Sequence, residues 1–247
     1  MSTSNNTPLS REEGDMSIQL NTIYNEDCLE TMKRMPDNFV DLIVTDPPYL
    51  IVSGGMSNKL GGIFDRSKHP HTATGKMFGE NTITFVEWVG ETYRVLKDNC
   101  HAYIMVSGRR LEELFESIKN TRFEFQNLLV WDKGSVTPNR YYMQRTEFIL
   151  MLKKGNSRTI NNPGSHNIIS IQNEVGKKNH PTQKPVELMS FLIGNSTNIH
   201  DLVYDPFMGS GTTARACKDL GRNYIGSEIS KEYCDIAEQR LRQEVLL

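Results

Sequence analysis

The chain has 247 residues, enough for one large domain or two small ones and for a sizeable buried core. Its 37% apolar and 23% charged residues exclude collagen-like and wholly disordered chains. With 28 basic and 30 acidic side chains the formal net charge is −2, which by itself argues against a protein uniformly coated in positive charge for nucleic acid.

Residues 1–15 are polar, show no hydrophobic period and are expected to form a disordered tail. They lack the apolar core of a secretory signal, and no later run reaches the ~18 apolar residues of a membrane span. Cys28, Cys100, Cys217 and Cys234 are scattered without a CxxC pair, so a reducing cytoplasm is expected rather than a disulfide framework or a zinc site.

Periodicity then predicts a strand over 18–24, a helix over 27–35 and a strand over 40–45. The 40–45 run, Val-Asp-Leu-Ile-Val-Thr, has the apolar continuity of a strand covered on both faces. Residues 50–80 are rich in Gly, Ser, Lys and His and read as a long functional loop. Its His69 and His71 have no further ligand candidates nearby, and no metal is expected. A helix follows over 85–96, a strand over 102–106, a helix over 109–119, and strands over 124–131 and 147–152. Residues 153–184 are polar and basic. Beyond them come a helix over 185–194, a strand over 202–204, a helix over 212–220, a strand over 224–227 and a long amphipathic helix over 231–245. Strands alternating with helices predict an α/β fold, a mostly parallel twisted sheet with helices on both faces, and ligands at the carboxyl ends of the strands.

Two motifs stand at such strand ends. Asp46-Pro47-Pro48-Tyr49 directly follows the 40–45 strand. The prolines remove two N–H donors and fix φ, leaving the Asp46 carboxylate and the carbonyls as a rigid row of acceptors. Such a row suits a ligand that only donates, such as an exocyclic NH2 group. Tyr49 adds a flat face, and base stacking is worth ~1–3 kcal/mol. Asp205-Pro206-Phe207-Met208-Gly209-Ser210-Gly211-Thr212-Thr213 follows the 202–204 strand and opens a helix, and Glu228 ends the next strand. Glycines that permit close approach, N–H groups at a helix start and a trailing acid for ribose hydroxyls point to an adenosine-containing cofactor. The Gly-Lys-Ser/Thr ending of a P-loop is absent.

Together the motifs resemble the S-adenosylmethionine-dependent DNA amino-methyltransferases. The order, Asp-Pro-Pro-Tyr first and cofactor loop late, resembles the circularly permuted β class. Asn25-Glu26-Asp27-Cys28-Leu29 resembles the family's Asp-Cys-Leu box. Trp131-x-Lys133, Pro138-Asn139-Arg140 and Glu147 resemble its target-base region. His180-Pro181-Thr182-Gln183-Lys184-Pro185 resembles its box beside the methionine end of the cofactor.

The resemblance implies a Rossmann-like methyltransferase fold over residues 16–247. It implies S-adenosylmethionine as methyl donor, S-adenosylhomocysteine as product, and methyl transfer to the N6 of adenine in duplex DNA after base flipping. N4 of cytosine is the alternative, and Asp46 at the head of its motif favours adenine. Asp46, Pro47, Pro48 and Tyr49 would be catalytic. Asp27, Cys28, Asp46, Thr182, Lys184, Asp205, Phe207, Gly209, Ser210, Gly211, Thr212, Thr213 and Glu228 would bind the cofactor. Glu228 would hold its ribose, Asp27 its adenine and Lys184 its carboxylate.

The net charge hides a contrast. Residues 131–184 carry nine basic and three acidic side chains, an excess of +6 against −8 for the remainder. Lys133, Arg140, Tyr141, Arg145, Lys153, Lys154, Arg158, Lys177 and Lys178 are therefore candidates for contact with DNA, with 153–179 a short target-recognition insert. So small an insert also fits a homodimer. Two rivals stay open. Gly209-x-Gly211-x-x-Ala214 fits the loop of a nicotinamide-dependent oxidoreductase but leaves Asp46–Tyr49 unexplained, and a DNA-binding protein without catalysis would not need the catalytic set. RNA or protein as methyl acceptor is also open.

Overall fold

A computed structural model describes residues 18–48, 83–137, 141–173 and 183–242. The expected tail, the whole 50–80 loop with His69 and His71, and Tyr49, Arg140, Lys177, Lys178 and Thr182 lie outside them. Among the described residues, one eight-stranded sheet is formed by β1 (Thr22–Tyr24), β2 (Val40–Thr45), β3 (Leu96–Val106), β4 (Glu124–Thr137), β5 (Gln144–Lys153), β6 (Ile168–Ser170), β7 (Leu202–Asp205) and β8 (Asn223–Ser227). The helices are α1 (Cys28–Arg34), α2 (Phe85–Val95), α3 (Leu111–Lys119), α4 (Val186–Ser196), α5 (Thr212–Leu220) and α6 (Lys231–Arg242). A 3-10 turn over Gly108–Arg110 leads into α3. No described helix is long and apolar enough to cross a membrane.

The strand order is β1-β8-β7-β2-β3-β5-β4-β6. The first five are parallel, β5 runs antiparallel to both neighbours, and β6 is parallel to β4. From β2 the chain passes through α2 to β3 on one side. From β7 it passes through α5 to β8 on the other. The order therefore reverses between β2 and β7, and a crevice forms beyond their carboxyl ends. The two motifs begin at those ends.

The 40–45 run behaves as its composition predicts. Val40 and Ile43 join the core under α1, α2 and α3, with Trp88 and Leu114, while Leu42 and Val44 join the core under α4 and α5, with Leu192 and Ala216. Fully burying a Leu, Ile or Val side chain contributes ~1.5–3 kcal/mol, so this strand is a firm anchor for the Asp46 motif at its end. In α2, Phe85, Trp88, Val89 and Thr92 are buried at helical spacing, and the Thr84 N–H donates to Glu87 (2.6 Å) to close the helix start. Glycines in the left-handed region bracket α5, Gly211 (φ 81°) at its start and Gly221 (φ 69°) at its end.

One expectation needs correction, and residues 153–173, read as polar and basic, hold one further element. Ile168–Ser170 adds β6 beside β4, a strand of three residues that is too short for periodicity to reveal. Upstream of it, Asn161 Nδ2 donates to the carbonyls of Gly194 (2.9 Å) and Thr197 (2.8 Å), and Arg158 donates to Ser196 O (2.8 Å), which ties the segment to the end of α4. The basic stretch is also divided. Because β5 is antiparallel, Phe148 lies beside Val106 at the carboxyl end of β3, whereas Lys153 lies beside His101, five residues back toward its start. Lys153, Lys154 and Arg158 therefore sit at the end of the sheet away from Asp46. Lys154 is buried, and its ammonium donates to Asn38 Oδ1 (2.7 Å), Tyr93 O (2.9 Å) and Leu96 O (2.6 Å). Arg158 pairs with Asp201 (3.2 Å) and Lys153 with Glu124 (3.1 Å). Lys154 and Arg158 thus donate to the protein's own carbonyls.

Candidate active site

β2 delivers Asp46, Pro47 and Pro48 to the crevice. Pro47 is buried and Pro48 half-buried. The Pro48 carbonyl accepts from Arg110 Nη1 (3.3 Å). That guanidinium lies 4.3 Å above the centre of the Phe85 ring and pairs with Glu113 (2.7 Å). The proline pair is thus held from the start of α3, a support that no local pattern in the sequence announces.

β7 delivers the second motif. Asp205 is buried at its end, and its Oδ1 accepts from Thr45 Oγ1 (2.8 Å) and from Phe207 N–H (3.0 Å). Its Oδ2 accepts from Thr213 Oγ1 (2.6 Å). The Thr45 bond joins the two motifs, because Thr45 immediately precedes Asp46. Burial pushes the Asp205 carboxyl up to about 6, against the pull of these three donors, with Asp46 adding a smaller upward push.

The loop closes on α6 and β8. Arg240 Nη1 donates to Ser210 O (2.7 Å), Ser210 Oγ (3.2 Å) and Thr212 Oγ1 (3.4 Å). The hydroxyls of Ser210, Thr212 and Thr213 are therefore engaged inside the protein and build the loop. Glu228, at the end of β8, accepts from Gly209 N–H at Oε2 and from Ser230 N–H at Oε1, both 2.8 Å. Burial raises its carboxyl above the ordinary range, and the backbone N–H groups of Ser230, Gly209 and Ile229 offset part of that. Phe207 is half-buried and meets Trp88 edge-on, centroids 5.1 Å apart. Asp27 is exposed and caps α1, accepting from Leu29 N–H (2.8 Å). Cys28 is a core residue whose thiol burial pushes up.

The two glycines of the loop differ. A Cβ on Gly211 would come within 2.7 Å of the Ala237 Cβ and 3.1 Å of its Cα in α6, whereas one on Gly209 (φ 55°) would meet nothing within 4 Å. Gly211→Ala is expected to destabilise by about 2 kcal/mol, through left-handed strain and displacement of α6. Gly209→Ala should cost about 1 kcal/mol, through strain alone. Urea midpoints of the two variants check the order, and equal losses would mean that α6 yields freely.

Lys184 is the residue that the resemblance places at the cofactor carboxylate. It is buried, and its Nζ lies 2.5 Å from Asp46 Oδ2 and 3.4 Å from Glu147 Oε2. Burial opposes its charge, but Asp46 and then Glu147 outweigh burial and hold the ammonium above the ordinary lysine range. Lys133, read as a phosphate contact, turns inward to Glu147 Oε1 (3.1 Å), with its side chain only 12% exposed. Register explains this. Glu147 lies opposite Trp131, and Lys133, two residues further along β4, shares that face. Burial works against the Glu147 charge, but Lys184 and Lys133 together bring its carboxyl below the ordinary range. At this same end, just before β5, Tyr141, Tyr142 and Met143 are 82%, 88% and 66% exposed, and Arg145 pairs with Asp132 (2.6 Å). No group of three or more His, Cys, Asp and Glu among the described residues forms a metal site.

The comparisons agree with this geometry. The DNA methylase family profile, covering N6 and N4 methyltransferases, matches residues 40–239. The type II methyltransferase M.HinfI of Haemophilus influenzae is 31% identical, over 91% of this chain and 69% of its own length. M2.MboI of Moraxella bovis is 29% identical, over 90% of this chain and 87% of its own. The crystal structure of an M1.HpyAVI–SAM complex superposes with a TM-score of 0.64 at 30% identity, covering 88% of this chain and 98% of that one. With the motifs at adjoining strand ends and a match spanning most of the sequence, the chain belongs to the N6/N4 DNA methylase family.

Proposed function

We propose that the chain transfers a methyl group from S-adenosylmethionine to the exocyclic N6 of adenine in duplex DNA, the target base having left the helix. The Thr45–Asp205 bond carries this reading, because it sets an acceptor row, Asp46 to Pro48, directly beside a cofactor-type loop. S-adenosylmethionine supplies an electrophilic methyl on a sulfonium. The residues present fit it. Open space lies over Gly209. Glu228 accepts from the backbone N–H groups of Gly209, Ile229 and Ser230, and the four lone pairs of a carboxylate leave room for a ribose hydroxyl. Asp27 stands exposed at the end of β1. Phe207, Gly209, Glu228 and Asp27 would hold the cofactor, with Gly211, Ser210, Thr212 and Thr213 shaping the loop.

The Asp46 carboxylate and the Pro47 carbonyl accept the two hydrogens of the target amine. No proline N–H competes, so the stretch offers acceptors alone. As positive charge develops on the nitrogen these hydrogen bonds strengthen, which favours the transition state over the ground state. Tyr49 would stack on the base, which leaves the duplex at a cost of a few kcal/mol. The exposed Tyr141–Met143 segment and Arg145, at the Asp46 end of the sheet, support DNA contact there. Such binding should weaken steeply with salt.

Adenine is favoured over cytosine by the aspartate heading the motif, as the family resemblance implies. Mass spectrometry of nucleosides from DNA treated with the purified protein and S-adenosylmethionine checks this. N6-methyldeoxyadenosine is the expected product. N4-methyldeoxycytidine would overturn the choice of base, and no methylated nucleoside would overturn the whole reading.

A further inference from the structure

Four charged side chains form an alternating line into the crevice: Asp46 from the end of β2, Lys184 from the segment before α4, Glu147 from β5 and Lys133 from β4. The successive separations are 2.5, 3.4 and 3.1 Å. Side-chain exposures of 17%, 7%, 21% and 12% place the line largely out of water. Two of the four were expected elsewhere, Lys184 on the cofactor and Lys133 on phosphate. The line is tightest at Asp46 and looser at Glu147, whose buried Oε2 faces the ammonium at 3.4 Å. Glu147 therefore attracts Lys184 without taking it from Asp46.

We propose that Glu147 and Lys133 are positioning residues for methyl transfer, acting through Lys184 to fix the plane of the Asp46 carboxylate. The proposal rests on the methyl-transfer reading above. Lys184 pins one oxygen of Asp46, and that fixes the carboxylate only if the ammonium is itself fixed. A lysine has a flexible four-carbon stem, so each added anchor narrows its pivoting. Glu147 supplies a second carboxylate beside the ammonium, and Lys133 offsets the extra charge that Glu147 brings into the interior. Each charge thus has an opposite neighbour, as burial requires. β4 and β5 thus brace the Asp46 carboxylate, and β5 also follows the exposed Tyr141–Met143 segment.

The test measures single-turnover methyl transfer to DNA, and separately the equilibrium binding of S-adenosylmethionine and of DNA, for Glu147→Gln, Lys133→Met and Lys133→Arg. Misplacing a reacting group by about an ångström costs roughly 10²-fold, so Glu147→Gln should slow transfer by about that factor with both affinities within about threefold of wild type. Lys133→Met should slow it about tenfold, and Lys133→Arg, which keeps the charge, should recover most of the loss. Should Glu147→Gln fail to fold, the Lys133 pair decides. Folded variants that transfer methyl at the wild-type rate would overturn the positioning role alone. So would a rate loss matched by equal loss of binding, or an Arg variant as slow as the Met variant. A wild-type protein that methylates no DNA base would overturn the underlying reading and this proposal with it.

Discussion

Asp46→Ala is expected to lower the methyl-transfer rate by about 10³-fold or more while changing the affinity for S-adenosylmethionine only a few-fold. Removing one preorganised partner of developing charge typically costs about 10²–10³-fold. Asp46 would be such a partner and would also orient the amine. The variant loses the 2.5 Å contact with Lys184, but that lysine keeps Glu147 at 3.4 Å and the loop keeps its own bonds. The residues proposed to hold the cofactor, Phe207, Gly209 and Glu228, are held by contacts with Asp205 and Trp88, with each other and with Ser230, none of which depends on the Asp46 side chain. Binding measured by calorimetry and transfer measured with labelled cofactor therefore separate the two effects. Near-wild-type turnover would remove Asp46 from the chemistry. A parallel collapse of cofactor affinity would make it a binding residue.

The sequence made the frame legible where one physical signal dominated. An unbroken apolar run gave β2 its limits, and glycines with positive φ marked both ends of α5. The two motifs were recognisable because few local structures need two prolines, or two glycines, at a strand's carboxyl end. That these ends are neighbours was not legible, since Thr45 and Asp205 stand 160 residues apart and only the sheet order joins them.

Charge was the weakest guide. The +6 count over 131–184 treated that stretch as one face, but a strand carries side chains to both ends of a sheet. β5 takes Arg145 to the crevice and Lys153 to the opposite edge. Nor does a count show partners. Of the described basic residues in that stretch, Lys133, Arg145, Lys153, Lys154, Arg158 and Lys184 all pair with acids of this chain. Four of those acids, Asp46, Glu124, Asp201 and Asp98, lie outside it. The supports of Arg110 on Pro48 and Arg240 on Ser210 had no local signature, because each reaches across from a separate helix or turn.

Asp205 gives the second large effect, and it divides into two substitutions. In Asp205→Ala the Thr45 and Thr213 hydroxyls and the Phe207 N–H lose their acceptor inside the protein. An unsatisfied buried polar group costs about 1–3 kcal/mol, so after partial rearrangement the variant should be less stable by about 3–4 kcal/mol. Cofactor affinity should fall at least about tenfold, since Phe207 and the glycine turn lose their anchor. Asp205→Asn keeps an acceptor of the same shape and removes a charge that burial disfavours. In the folded protein the carboxyl sits at about 6, above its ordinary 3.8, so the fold holds this proton more tightly than the unfolded chain does. The stability it contributes is complete below about pH 4 and is lost as pH rises to about 6, to the extent of about 3 kcal/mol. Asparagine has no such proton to lose. The stability of Asp205→Asn minus that of wild type, taken from urea midpoints, should therefore increase between pH 4 and 7 and then level off. A difference that stays constant across that range would mean that Asp205 is ionised throughout in the fold. It would then act as a charged acceptor, like Asp46 beside it, and not as the largely protonated hinge between the two motifs that its burial implies below about pH 6.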